Sequence, residues 1–220
     1  MTNLKRILIL VPHQDDEINI AGQMIPSLIE EGMECRICFS TNGDYREEDG
    51  AIRAKEAVSV AEFMGLPSEN VVFLGYPNYD EARHLYDFPN ETFRSFGHDR
   101  AYGYIDGWPC WSSTRLEGPR ALTRESVVAD IADVIVSFLP DVILCIDFDA
   151  HPDHRSLSLF FDEAMDRLLQ ARRGYKPLVL KSFAYATLWN GPRDYYEFAD
   201  TVRPSGFPET WPFELENPNY

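Results

Sequence analysis

Apolar residues along this chain fall into short unbroken runs, separated by longer stretches with helical spacing. Residues 7–11 form the first run, rich in branched side chains, as expected of a strand buried on both faces. Ala21, Met24, Ile25, Leu28 and Ile29 then recur at intervals of three and four, which predicts a helix over about residues 17–31 with Gly32 as its stop. A second strand is expected over 35–41, closed by Asn42-Gly43-Asp44. A second helix follows near 47–64, with Ile52, Ala57, Ala61 and Met64 on one face and Gly65 and Pro67 ending it. A short third strand covers 71–74. The rhythm then lapses until about residue 120. The segment 76–111 carries ten aromatic residues among Gly, Pro, Asn and Asp. A loop of that length is usually functional or disordered, and so many aromatics disfavour disorder. Periodicity returns with a helix over 123–138, a fourth strand at 142–146, and a helix opening at Pro152 with Leu157, Phe160, Phe161, Ala164 and Leu168 facing inward. A last strand is expected over 178–187. The tail after Asn190 is rich in Pro and aromatics and is expected to wrap the surface.

Strands alternating with helices imply an α/β protein, with a mostly parallel sheet and helices on both faces. The 220 residues suit a single domain, 1–220, carrying an aromatic-rich insertion at about 76–120. Composition narrows the function. A formal net charge of −16 argues against nucleic acid or an anionic membrane as partner. Cys35, Cys38, Cys110 and Cys145 are too few for a disulfide framework. Cys35 and Cys38 match a C-x-x-C pattern, but inside a strand they point to opposite faces, so buried thiols are expected. The apolar stretch near the N-terminus is too short for a signal peptide or a membrane span. Reduced thiols without an export signal point to the cytoplasm.

The chemistry gathers in two motifs. His13-Gln14-Asp15-Asp16-Glu17 follows the first strand, and His151-Pro152-Asp153-His154 follows the fourth. Three of the five histidines thus stand at strand ends, where open α/β sheets build their sites. The first βα turn has no G-x-G-x-x-G pattern, and its acids would repel phosphate, which disfavours a nucleotide-binding domain. His13 and Asp16 are three apart where strand becomes helix, so both can face one point; His154 from the other strand end supplies a third ligand. Two histidines and a carboxylate with open positions describe a catalytic Zn2+ site, with Fe2+ the alternative. Asp15 fits a general base. His151 fits a group that stabilises an oxyanion or protonates a leaving amine, as an imidazolium. Asp153 fits a partner that orients His151. Singly, each acid could instead decorate the positive end of a helix. That simpler account leaves unexplained why both clusters fall at strand ends.

These motifs resemble the PIG-L/LmbE-like family of N-acetylglucosaminyl deacetylases. The His-x-Asp-Asp-Glu core at His13 and the whole His-Pro-Asp-His motif at His151 carry the likeness. Weaker echoes are Thr41-Asn42-Gly43-Asp44, Arg53-Ala54-Lys55-Glu56-Ala57 and Phe73-Leu74-Gly75-Tyr76. The resemblance implies a Rossmann-like three-layer sandwich and a zinc-dependent hydrolase that removes acetyl from an N-acetylglucosamine-containing small molecule or glycoconjugate. It implies His13, Asp16 and His154 as metal ligands, Asp15 as base, and His151 beside the tetrahedral intermediate. It also implies Arg53 and Asp44 as substrate contacts; for Arg53 the simpler alternative is an ion pair with Glu56 or Glu47. The aromatic insertion has no counterpart in the family pattern. It suits either sugar stacking or a small satellite core or subunit contact, which leaves a homo-oligomer open. The competing functions are another metal-dependent amide or ester hydrolase on this scaffold and a non-catalytic sugar-binding module with a structural metal. A spare carboxylate and a spare histidine beside the ligand set speak against the latter.

Overall fold

The computed structural model describes residues 4–44, 47–79, 90–103, 109–115 and 118–185. Its five-stranded sheet contains β1 (Arg6–Val11), β2 (Glu34–Thr41), β3 (Val71–Tyr76), β4 (Val142–Ile146) and β5 (Leu178–Ser182). All pairings are parallel, in the order β3-β2-β1-β4-β5. The helices are α1 (Asp16–Ala21), α2 (Met24–Glu30), α3 (Glu47–Phe63), α4 (Arg124–Phe138) and α5 (Pro152–Ala171).

The alternation of side chains along β1 builds a core on each face. Leu8 and Leu10 join residues of α4 and α5, among them Val127, Ile131, Phe160 and Phe161. Ile7, Ile9 and Val11 join residues of the other helices, among them Ile25, Ala54, Ala57 and Ala61. The result is the expected Rossmann-like α/β sandwich of three layers. Cys35 belongs to one core and Cys38 to the other, and all four cysteines are buried and unbridged.

Two local expectations need correction. The helix expected over 17–31 is two helices, α1 and α2, separated by Gly22 and Gln23. Pro26 supplies the reason. In one continuous helix it would have no N–H for the Gly22 carbonyl and its ring would strike that carbonyl; in the first turn of α2 it does neither harm. Ile52 is 56% exposed and lies off the buried face of α3. The residues that meet the sheet are Ala54, Ala57, Val58 and Ala61, which share the true three-and-four spacing. The last strand ends at Ser182; residues 186 and 187 of its expected span, and the tail from 190, lie outside the described residues.

The described aromatics at the start and end of the 76–111 segment pack into the main core. Tyr79 is fully buried and meets Phe160 edge to face, with ring centroids 5.4 Å apart. Tyr76 donates to Asp130 Oδ2 at 2.7 Å, and Trp111 Nε1 donates to Asp133 at 2.8 Å. These bonds tie the segment to α4.

Candidate metal centre

β1 and β4 lie side by side in mid-sheet, with Ile7 opposite Val142 and Leu10 opposite Cys145. The strand order reverses between them, so their C-terminal ends open onto one crevice. Val11 leads through Pro12 to His13, and Asp16 starts α1. On the other side His151 is the N-cap of α5: its Nδ1 accepts the Asp153 backbone N–H at 3.2 Å. Pro152 takes the first helical position, where a missing N–H costs nothing. That cap puts Asp153 and His154 on the inward side of the first turn, both buried.

The sequence-predicted ligands meet. Asp16 Oδ2 lies 3.1 Å from His13 Nδ1 and 3.2 Å from His154 Nε2. His151 stands equally near, its ring centroid 4.7 Å from those of both His13 and His154. Ligand atoms of the three histidines all lie within 4.8 Å of one another. The far nitrogen of each fully buried histidine is held by a carboxylate: His13 Nε2 is 2.9 Å from Asp153 Oδ2, and His154 Nδ1 is 2.7 Å from Asp149 Oδ2. Histidines that bind metals are commonly oriented in this way.

The donor set fits a cation. Zinc holds N and O ligands at about 2.0–2.2 Å in a tetrahedron, which separates neighbouring donors by roughly 3.4 Å. The two contacts to Asp16 come close to that spacing. Asp16 Oδ1 and His154 Nε2 are moreover buried without an aligned hydrogen bond among the described residues. Leaving such atoms unsatisfied is costly, and a bound cation would satisfy both.

Burial and close partners act on every titratable group of the cluster. Burial disfavours the charged forms, but the neighbouring histidines outweigh it and hold the Asp16 carboxyl well below the usual range. Burial likewise opposes protonation of His154, yet the hydrogen bond to Asp149 and the adjacent Asp16 carboxylate raise it to about 9. His13 is raised against its burial by Asp153 and Asp16. His151 differs: burial and the nearby His13 lower it. Its Nδ1 accepts the Asp153 backbone N–H, an arrangement that leaves the ring proton to Nε2.

The family model described as PIG-L, GlcNAc-PI de-N-acetylase, matches residues 8–165, a span that takes in both histidine motifs. The chain belongs to the PIG-L family. An N,N'-diacetylchitobiose deacetylase from Pyrococcus horikoshii has a similar solved structure, with TM-score 0.53 and 19% identity, covering 84% of this chain and 61% of that one. A 4-carboxy-2-hydroxymuconate hydratase from Pseudomonas putida KT2440 gives TM-score 0.47 and 19% identity, covering 79% of this chain and 60% of that one. The A40926 pseudoaglycone deacetylase Dbv21 gives TM-score 0.49 and 14% identity, covering 78% and 61% of the two chains. At such identities the likeness is one of fold. This chain spans about 61% of the length of the first of these structures. No curated protein matches it.

In this PIG-L chain Asp15 and Asp44 lie on the loops that follow β1 and β2, and Arg53 lies on α3. The Asp15 side chain is 54% exposed, with Oδ1 3.1 Å from Arg53 Nη2. Arg53 also donates to the Gln14 carbonyl at 3.3 Å and to the Gly43 carbonyl at 3.4 Å, bracing the two loops together. Among the described side chains its ion pair is with Asp15, whereas the side chain of Glu47 lies outside them. Gly43 has φ +66, and a Cβ there would fall 2.4 Å from Gln14 Oε1 and 3.2 Å from the Arg53 guanidinium. Asp44 is buried, accepts the Asn78 backbone N–H at 3.1 Å and the Tyr102 hydroxyl, and is raised by burial. Asp153 touches both motifs. Its carboxylate lies on His13, while its backbone N–H reaches His151.

Three residues here have no place in the sequence reading, and Glu17, named there only as part of the first motif, has a definite environment. Asp149 is buried at the exit of β4 and bonds to His154; an acid two residues before the second motif was the readable signal. Glu17 is buried in α1, with Oε2 lacking a hydrogen bond among the described residues, and burial pushes its carboxyl up to about 7. Tyr185 stacks on His154 at 4.9 Å and 20°, and Tyr102 reaches Asp44 from the insertion. Nothing local in the sequence marks these two tyrosines.

Proposed function

We propose that this chain is a zinc-dependent N-deacetylase, hydrolysing the acetamide of an N-acetylglucosamine-containing small molecule or glycoconjugate to acetate and a free amine. What supports this most is the paired arrangement of His13 and His154, each close to Asp16 through one nitrogen and braced by a carboxylate through the other. His13, Asp16 and His154 would hold the metal. A bound zinc ion would supply Lewis acidity and lower the pKa of a bound water from about 16 to near 7.

The chain's own residues divide the remaining work. Asp15, held by Arg53, takes a proton from the attacking water and passes it to the departing nitrogen. His151, a neutral imidazole with its proton on Nε2, donates to the oxygen on which negative charge develops. Asp153 orients His13 through Nε2. Arg53 on α3 and Asp44 on the loop after β2 suit hydroxyl groups of a sugar, Asp44 as acceptor and Arg53 as donor.

Elemental analysis of the purified protein, with acetate release measured over N-acetylhexosamines and their conjugates, tests this. Zinc at about one per chain with acetate release is the expected result. Release from other amides or esters alone would indicate a different hydrolase on the scaffold. Sugar binding without turnover would indicate a non-catalytic module.

A further inference from the structure

Asp149 does more than touch one histidine. It stands in the short link between β4 and α5 and is 1% exposed. Its Oδ1 accepts the His151 backbone N–H at 2.8 Å. Its Oδ2 contacts His154 Nδ1 at 2.7 Å and accepts the backbone N–H groups of Ala184 at 3.3 Å and Tyr185 at 3.1 Å. A single buried carboxylate therefore gathers the second histidine motif and the exit of β5. At that exit the Tyr185 ring lies on the His154 ring, 4.9 Å away and tilted by 20°. It is also 6.1 Å from the His151 ring.

We propose that Asp149 is a positioning residue that couples cation binding at His154 to the docking of Tyr185 over the site. This rests on the metal centre proposed above. A carboxylate on Nδ1 fixes the proton there and leaves Nε2 for the cation. The same oxygen is the acceptor that pins the 184–185 backbone. Four hydrogen bonds converging on one carboxylate leave it a single orientation, so anything that fixes His154 also fixes the latch. The wall that Tyr185 forms beside His151 and His154 is thereby part of the loaded state of the site.

The test uses the whole chain and Zn2+ alone as ligand. Zinc affinity is measured by competition with a chromophoric chelator for wild type and Asp149→Asn, and amide hydrogen exchange is followed at Ala184 and Tyr185 with and without zinc. Asp149→Asn is expected to bind zinc about 10- to 100-fold more weakly. In wild type, zinc is expected to slow exchange at both amides several-fold, an effect absent in the variant. Affinities equal within twofold, or wild-type exchange at 184–185 unmoved by zinc, would overturn the proposal. The wild-type exchange comparison stands even where Asp149→Asn does not fold. Wild type that takes up no zinc would overturn the metal centre along with it, whereas normal uptake with no effect of Asp149→Asn overturns this inference alone.

Discussion

Replacing Asp15 by Asn should separate catalysis from folding and from metal binding. The Asp15 side chain is 54% exposed and its partner Arg53 is 21% exposed, so their ion pair is a surface one. Such pairs contribute about 0–1 kcal/mol. Asp15 makes no side-chain capping bond to α1, so the helix start does not depend on its charge. The expected loss of stability in urea is therefore under about 1 kcal/mol. Zinc binding should stay within about twofold, because the donors that converge are His13, Asp16 and His154. Activity is another matter. Loss of a general base costs about 10²- to 10⁴-fold, or roughly 3–5 kcal/mol of transition-state stabilisation. The assay is kcat/KM for acetate release on the best substrate of the panel, with zinc content and a urea curve measured on the same preparation. Full activity in Asp15→Asn would refute the assigned role. A fall in activity matched by an equal fall in zinc content would also refute it, by making Asp15 a ligand.

Three further outcomes follow from the structure. His154→Ala should abolish both zinc uptake and turnover, and in metal-free protein should cost about 3–5 kcal/mol by stranding the buried Asp16 and Asp149, read by denaturant unfolding. Burial pushes the Asp130 carboxyl up to about 6 from 3.8, so the folded state binds that proton more tightly; its contribution is most favourable below pH ~4 and worsens by about 3 kcal/mol as pH rises through 6. Asp130→Asn should accordingly gain on wild type between pH 4.5 and pH 7.5, and a stability difference independent of pH would count against this. Gly43→Ala should lower kcat/KM more than tenfold by pushing Gln14 and the Arg53 guanidinium out of place at a φ of +66, with zinc affinity preserved; unchanged kinetics would show that these side chains give way freely.

Much of this was legible in the sequence because the signals were strong and local. Branched runs mark β1 and β4, a parallel sheet places the motifs after them at the same end of the sheet, and the pairing of β1 with β4 makes those ends neighbours. The thiols of Cys35 and Cys38 obeyed simple strand alternation. Failures came where a local rule was weighed too lightly or where the contact was remote. Pro26 announced the break between α1 and α2, but the apolar spacing spoke louder. Ile52 was chosen for its hydrophobicity, although Ala54 and Ala57 held the better phase. The Asp153 carboxylate also reaches His13, 140 residues away in sequence, a contact that no local pattern marks. No periodicity could have brought Tyr185 to His154 or Tyr102 to Asp44, since those contacts exist only through the tertiary fold.

The placement of β1 beside β4 has a consequence for how the protein is made. During synthesis His13, Asp15 and Asp16 emerge early, yet the strand that brings their counterparts begins only at Val142. β1 can pair with β2 in the meantime, but its other edge stays open until β4, which starts about 130 residues after β1 ends, has left the ribosome. Competence is thus acquired in one late step, and a nascent or truncated fragment ending before that strand would hold half a set of donors with nothing to share them.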